Sequence, residues 1–340
     1  MERRLSSYTG CLLGLAVGDG LGHGPERVNG FLPVSSYTQQ AAYACNGLLV
    51  GLTRGQLTGT MAPPVRYIGL ALSEWARKQL WRQGDRTFCW ISRSPRLDYR
   101  RCAEPELLDL LAAGELGTME DHAGTLPGAG ALMTAPAAAL FYDPARLRRK
   151  EIHRLGAEAA ALTHGDPAAF LSAAALAHIL SRIVFDGQED LEQLTREAGA
   201  VRLSRFGREY HAARQVRSAL KQARHLAKTA DRVEALSRLA GPRAHQVLAS
   251  ALYICLTGAG SPESMLRTAA EVSPGCGAAA GAVLGALHGA EAIPEAWLEE
   301  LECAAVLREL AGDLFGGCPM MLGSRIFDIE WDEKYNVAEL

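Results

Sequence analysis

EVSPGCGAAAGAVLGALHGAEAIPEAW, residues 271 to 297, decides the fold. From Gly277 onward it reads as a helix with glycine at 277, 281, 285 and 289, one every four residues. A glycine inside a helix costs about 0.5 to 1 kcal/mol relative to alanine, so four on one face call for a compensating contact. A second ladder, Gly10, Gly14, Gly18 and Gly22, runs through GCLLGLAVGDGLGHGPE (10 to 26). Two glycine-faced helices crossing closely in a core account for both ladders. Just ahead of the later helix, where free amides would meet an ion or a phosphate, stand Ser273, Pro274, Gly275 and Cys276.

Outward from these ladders, alanine and leucine dominate, β-branched residues are sparse, and long windows place apolar residues three and four apart. The spacing predicts an all-α protein with helices over 8–20, 65–83, 104–113, 146–163, 167–186, 208–239, 243–257, 262–272, 277–290 and 293–315. Ser261 before Pro262 and Asp166 before Pro167 read as N-caps with proline at the first helical position. Between 21 and 57, and between 84 and 130, the pattern fades into Gly, Pro, Ser and Thr, which is where a helical bundle assembles a site. No repeat and no linker divides the chain, so a single domain over 1–340 is expected. The tail after 320 loses the helical period and reads as an irregular cover.

A formal charge of −3 over 340 residues gives no reason to expect nucleic acid or an anionic membrane as partner. The eight cysteines (11, 45, 89, 102, 255, 276, 303 and 318) form no CxxC and no metal-finger spacing, and read as buried free thiols of a reducing compartment. MERR followed by an apolar run imitates a secretory signal, but Asp19 interrupts the run and no small-x-small cleavage site follows. A cytoplasmic location is expected, and no segment spans a membrane without a charge or a break.

Candidate chemistry lies in the loops. GDGLGHG (18 to 24) has dinucleotide-like glycine spacing, but no strand precedes it, so the fingerprint fails its context. Asp19 and Glu26, at the exit of the first helix, are carboxylates able to grip a cation or a ribose hydroxyl, or to make local hydrogen bonds. THGDP (163 to 167) puts His164 at a helix-to-helix turn, a ligand-contact candidate. LPGAGALMTAP (126 to 136) is a turn whose Gly128 and Gly130 would let backbone approach a ligand closely. Glu120, Asp121 and His122 are adjacent in MEDH, a spacing that rarely converges on one ion.

Taken together these segments resemble the ADP-ribosylglycohydrolase family. GCLLGLAVGDGLGHGPE (10 to 26) is similar to its opening helix and loop, including the glutamate seven residues after the aspartate. AEAAALTHGDPAAFLSAAALAHIL (157 to 180) is similar to its central helix pair, and LASALYICL (248 to 256) with GAVLGALHGAEAIPEAWLEEL (281 to 301) to its closing helices. The resemblance implies a single orthogonal helical bundle that hydrolyses ADP-ribosyl bonds with two magnesium ions. The family holds these ions with an early Thr-Asp-Asp-Thr stretch and a later Asp-x-Asp-x-Thr stretch.

Against that pattern, Val272 and Pro274 fall where the late aspartates belong and Cys276 where the threonine belongs. In LTGTM (57 to 61), Thr58 is kept, with Gly59 and Thr60 in place of acids. The expectation is therefore a catalytically inactive member without metal or other cofactor, acting by binding. Its ligand would be ADP-ribose, an ADP-ribosylated protein, or an ADP-ribosylating toxin for which it serves as an immunity or regulatory partner. Asp19, Thr58, Gly128, Gly130, His164 and Ser273 are the expected ligand contacts. The alternative is an active hydrolase with a rebuilt or metal-independent site, in which Glu26 is the catalytic residue and Asp19, Asp121, His122 or Asp166 stand in for lost ligands.

Overall fold

The structure, a computed structural model, describes residues 2–24, 26–81, 87–97, 99–101, 103–141, 148–201, 208–258, 260–323 and 325–337, and of 208–210 the backbone alone. Sixteen α-helices and no β-strand are found among them. The chain opens with α1 (Glu2–His23), α2 (Ser36–Thr58), α3 (Pro64–Gln79) and α4 (Pro105–Ala113). Its middle is built of α5 (Ala135–Phe141), α6 (Arg149–Ala161), α7 (Pro167–Asp186) and α8 (Leu191–Ala198). Next come α9 (Arg208–Thr229), α10 (Arg232–Leu239), α11 (Ala244–Thr257), α12 (Pro262–Val272) and α13 (Pro274–His288). The short α14 (Glu295–Glu300), then α15 (Ala304–Gly316) and α16 (Ile329–Tyr335), close it.

The two glycine ladders face one another. α1 and α13 run antiparallel with Gly10 against Gly285, Gly14 against Gly281, and Gly18 against Gly277. A β-carbon on any of these six would fall closer than 3.0 Å to the opposite carbonyl oxygen, so only glycine permits the approach. The helical cost of each glycine is thus offset by backbone dispersion contacts along the whole crossing. α7 carries Phe170, Leu176, Ile179 and Leu180 into the core, packed by α5, α6 and α9. It is the one described helix long and apolar enough to cross a membrane, yet 89% of its most apolar window is buried inside the fold, as in a core helix.

Several expectations are met. Ser261 accepts from the Ser264 amide at 3.2 Å and Asp166 from the Ala168 amide at 2.9 Å, so both predicted caps are present. Cys11, Cys45, Cys89, Cys255, Cys276 and Cys303 are buried free thiols, Cys318 is a free thiol only half-buried, and Cys102 lies outside the described residues. The predicted 208–239 helix breaks where Asp231 caps α10, accepting from the Glu234 amide at 3.0 Å. The predicted 293–315 helix divides into α14 and α15. The tail is irregular only to Asp328, after which α16 docks through a Trp331 Nε1 bond to Thr53 Oγ1 at 2.8 Å.

The main departure is α2, which occupies most of the stretch expected to be irregular over 21–57. Every residue from 38 to 51 is buried, so the helix has no polar face and leaves no amphipathic signature. Its glycines at 47, 51 and 55 meet Tyr67 and Met61 of the chain leading into α3 and of α3 itself. They are packing glycines rather than loop glycines.

Gly281→Ala should destabilise the protein by about 3 kcal/mol, because the methyl meets a backbone carbonyl that cannot yield. Gly312→Ala in α15, where a β-carbon meets nothing within 4 Å, should stabilise it by about 0.5 kcal/mol. Urea unfolding of the two variants checks the contrast, and equal effects would refute the packing argument.

Candidate functional site

The α1–α13 contact fixes what lies at one end of the bundle. Gly22 sits directly against Pro274, so the exit of α1 meets the first turn of α13. One turn earlier Asp19 is fully buried, and its carboxylate caps α2. Oδ1 accepts from the Ser35 hydroxyl at 2.6 Å, while Oδ2 accepts from the Ser35 amide at 2.9 Å, the Thr38 amide at 3.2 Å and the Thr38 hydroxyl at 2.6 Å. Ser35 Oγ in turn accepts from the Tyr37 amide at 3.0 Å. The tip of α2 is therefore closed by protein groups, with the Asp19 charge set against the helix dipole.

The tip of α13 faces it. Ser273 Oγ accepts from the Cys276 amide at 3.1 Å, so α13 begins at Pro274, three residues before its expected start. The Tyr37 ring lies between the first turn of α13 and the glycine turn: its Cε2 is 3.5 Å from where a Gly275 β-carbon would stand, and its Cε1 is 3.9 Å from that of Gly130. The phenol is pushed up to about 12 by burial, then by the negative charges of Asp19 and Glu104.

Gly130 belongs to the predicted glycine turn, which is pinned to the start of α11 by the Ala244 amide bond to the Pro127 carbonyl at 2.8 Å. Without a side chain it lets His164 in: a β-carbon there would stand 3.0 Å from Nε2. His164 is 2% exposed, and burial pulls its imidazole down to about 4, so it is neutral at pH 7. The Thr163 hydroxyl donates to the Ala160 carbonyl at 3.3 Å and meets His164 Nδ1 at 2.7 Å. In the tautomer that keeps both bonds Nδ1 donates and Nε2 is left as an acceptor.

These groups line a cleft of 390 Å3 bounded by His23, Ser36, Tyr37, Gln40, Glu104 and His164, a size suited to a small ligand. Its other wall is the start of α4, where Glu104 precedes Pro105. Two larger hollows, of 510 and 710 Å3, lie away from the helix tips and hold no buried histidine. Among the described residues, no lysine or arginine lines the cleft. Among the described residues, no three His, Cys, Asp or Glu side chains are grouped so as to hold a metal.

Of the residues expected from sequence, His164 and Gly130 line the cleft, and Gly128 stands beside Glu104 with a would-be β-carbon 3.5 Å from Oε1. Ser273 is a cap on the facing helix, and Asp19 is enclosed behind Ser35 rather than open to a ligand. Glu26 is exposed and outside the lining. Thr58 lies apart from these: it ends α2, about 33 Å by helix rise from the tip that faces Ser273. Its hydroxyl is engaged locally, donating toward the Arg54 carbonyl at 2.8 Å. The segment that the fold sets opposite Ser273 is Ser35, Ser36, Tyr37 and Thr38, so LTGTM cannot share a site with the α13 tip. His122 turns to the Met119 carbonyl at 2.9 Å and does not join Asp121 at an ion. Trp90 is held outside the cleft by its bond to Tyr335 at 3.0 Å.

Sequence reasoning missed Tyr37, Ser36 and Glu104. Ser35 before a long helix was a readable N-cap signal, and Glu104 before Pro105 marked the next helix start.

Asp19→Ala should lower stability by about 3 kcal/mol, since it strands two buried hydroxyls and two amides. Acid should also weaken the fold. The unfolded chain protonates histidine near pH 6.5, whereas folded His164 resists to about 4, so stability falls as pH drops through that window and is level above it. His153, drawn down to about 4 by burial, then by His178 and Arg149, acts in the same direction. The His164 contribution is on the order of 3 kcal/mol at pH 4. Chemical denaturation from pH 4.5 to 7.5 checks this, with His164→Gln expected to flatten the slope and an unchanged slope refuting it.

A solved structure described as an ADP-ribosylglycohydrolase-related protein complex aligns with 93% of this chain and 99% of its own, with a TM-score of 0.62 and 21% identity. At that identity the match establishes the shared fold. No curated protein matches the chain. The family model for ADP-ribosylglycohydrolase matches residues 1–321, which takes in α1, the facing helix tips, the glycine turn and α13. The chain therefore belongs to the ADP-ribosylglycohydrolase family.

Proposed function

We propose that this chain is a binding member of its family, without the two-metal hydrolytic centre, and that the cleft receives the ribose end of an ADP-ribosyl group. The observation that carries this reading is the donor set at the facing tips. α2 offers Ser35, Ser36, Tyr37 and Thr38, and the α13 side offers Val272, Ser273, Pro274 and Cys276. Both Asp19 oxygens are taken by protein donors. Magnesium demands near-octahedral oxygen ligands, several of them anionic when two ions share a site. Hydroxyls, a phenol raised to about 12 and a thiol pushed up by burial do not fit a pair of such ions. Water activation through them therefore has no place in the account.

What the lining does suit is a neutral polyol. The Glu104 carboxylate can accept from a vicinal diol, as acidic residues do toward ribose in dinucleotide sites. The neutral His164 Nε2 can accept a third hydroxyl, and the Tyr37 ring gives a flat apolar wall. With no lysine or arginine among the described lining residues, the diphosphate is left toward solvent. The ligand is then ADP-ribose, an ADP-ribosylated protein, or an ADP-ribosylating toxin seated at the same mouth.

Calorimetry tests this. ADP-ribose should bind one-to-one and unchanged by EDTA, with Glu104→Ala weakening it about tenfold, equivalent to about 1.4 kcal/mol. Magnesium or manganese alone should give no two-site isotherm. Metal-dependent release of ADP-ribose from a modified peptide would overturn the proposal.

A further inference from the structure

Helix α9 carries a second surface, and none of its described residues lines the cleft. From His211 to Thr229 it has no aspartate or glutamate, while Arg214, Arg217, Lys221, Arg224 and Lys228 recur at intervals of three and four. That spacing sets five cations in one row, about 21 Å long. The opposite face, with Ala212, Val216, Leu220, Ala223 and Leu226, is buried against α7 and α11. The row thus points outward, with Arg214, Arg217, Lys221 and Lys228 exposed and Arg224 half-buried. The chain as a whole is acidic at −3, so this is a local reversal of sign.

Little within the described residues answers the charge. Lys228 pairs with Glu192 at 2.6 Å and Arg217 donates to the Gly199 carbonyl at 3.1 Å. Arg214 and Lys221 have no partner among the described residues, whereas Arg224, whose buried Nε makes no hydrogen bond, also feels the charge of Glu192. Like charges three and four apart repel along a helix, and no compensating acid stands in the row.

We infer that the α9 row is a docking surface for an acidic helix of a partner protein, whose carboxylates repeat at the same helical spacing. The fit is one of charge and period: carboxylates at i, i+3 and i+7 recur at the rise of the α9 cations, and two helices at a shallow crossing bring the rows together. Flanking exposed positions are Gln215, Ser218, Gln222, His225 and Thr229. None is an aromatic for stacking bases, and none is an apolar residue for entering a bilayer, since the apolar face of α9 is already covered.

The test uses the full chain and a synthetic helical peptide with glutamate at this spacing, read by fluorescence anisotropy. Controls are a peptide of the same composition with the glutamates shuffled, a single-stranded RNA and phosphatidylserine vesicles. The spaced peptide should bind, lose affinity at least about tenfold between roughly 50 and 200 mM salt, and bind about thirtyfold more weakly to Arg214→Glu/Lys221→Glu, whose circular dichroism should match the parent. Glu104→Ala should leave this binding intact, which separates the surface from the cleft. No binding, equal binding of the shuffled peptide, or tighter binding of RNA or vesicles would overturn the inference.

Discussion

Everything at the candidate site depends on the direct approach of two backbones, α1 and α13. Because six glycines let the carbonyls of one helix take the space of side chains on the other, the pair has one permitted register, Gly10 with Gly285 through Gly18 with Gly277. A slide by one residue would drive alanine, leucine or valine into a carbonyl. The register carries on to Gly22 and Pro274, and this fixes the height at which α1 ends and α13 begins. Asp19 is placed by the same contact, one turn from the end of α1, where it can reach the first turn of α2. Helix packing thus sets the geometry of the tips before any polar interaction is counted.

The polar interactions then close what packing has aligned. An uncapped helix start leaves several amides unsatisfied and a partial positive charge, which is what makes such tips attractive to anions. Here Asp19 and Ser35 consume the amides of Ser35, Tyr37 and Thr38, and Ser273 consumes that of Cys276. Among the described residues, the cleft between them is left with neutral acceptors and one carboxylate at its rim, Glu104. Its selectivity is that of hydroxyl recognition rather than charge neutralisation.

Much of this was legible in the chain before folding. The ladders at 10–22 and 277–289 declared a close helix pair, and the caps at Asp166 and Ser261 lie where their sequence places them. His164 and Gly130 were readable because a histidine and a glycine turn interrupt otherwise monotonous helices. α2 was not readable, because burial on every side erases the alternation that periodicity detects. The signal that remained was glycine at 47, 51 and 55, the same four-residue spacing as in α1. Taking that run for a loop hid that Thr58 stands at the far end of one helix from Ser35 and Tyr37. Glu104 before Pro105 marked a helix start but not a place in the cleft, which comes from how α4, packed on α3, brings its first turn to the cleft that Tyr37 and Gln40 of α2 also line.

The two faces differ in how their charge is handled, and the difference follows from burial. In the cleft, Asp19 is removed from solvent and must be satisfied within the fold, so it is spent on four hydrogen bonds and cannot also serve a mobile ligand. On α9 the cations stay in water, where each is individually tolerable and only their repetition is unfavourable. A buried charge is committed by the fold itself. An exposed row of one sign is uncommitted, and it lowers its energy only when an opposite row arrives, so the same bundle keeps a closed polar interior at one end and an open electrostatic surface on its flank.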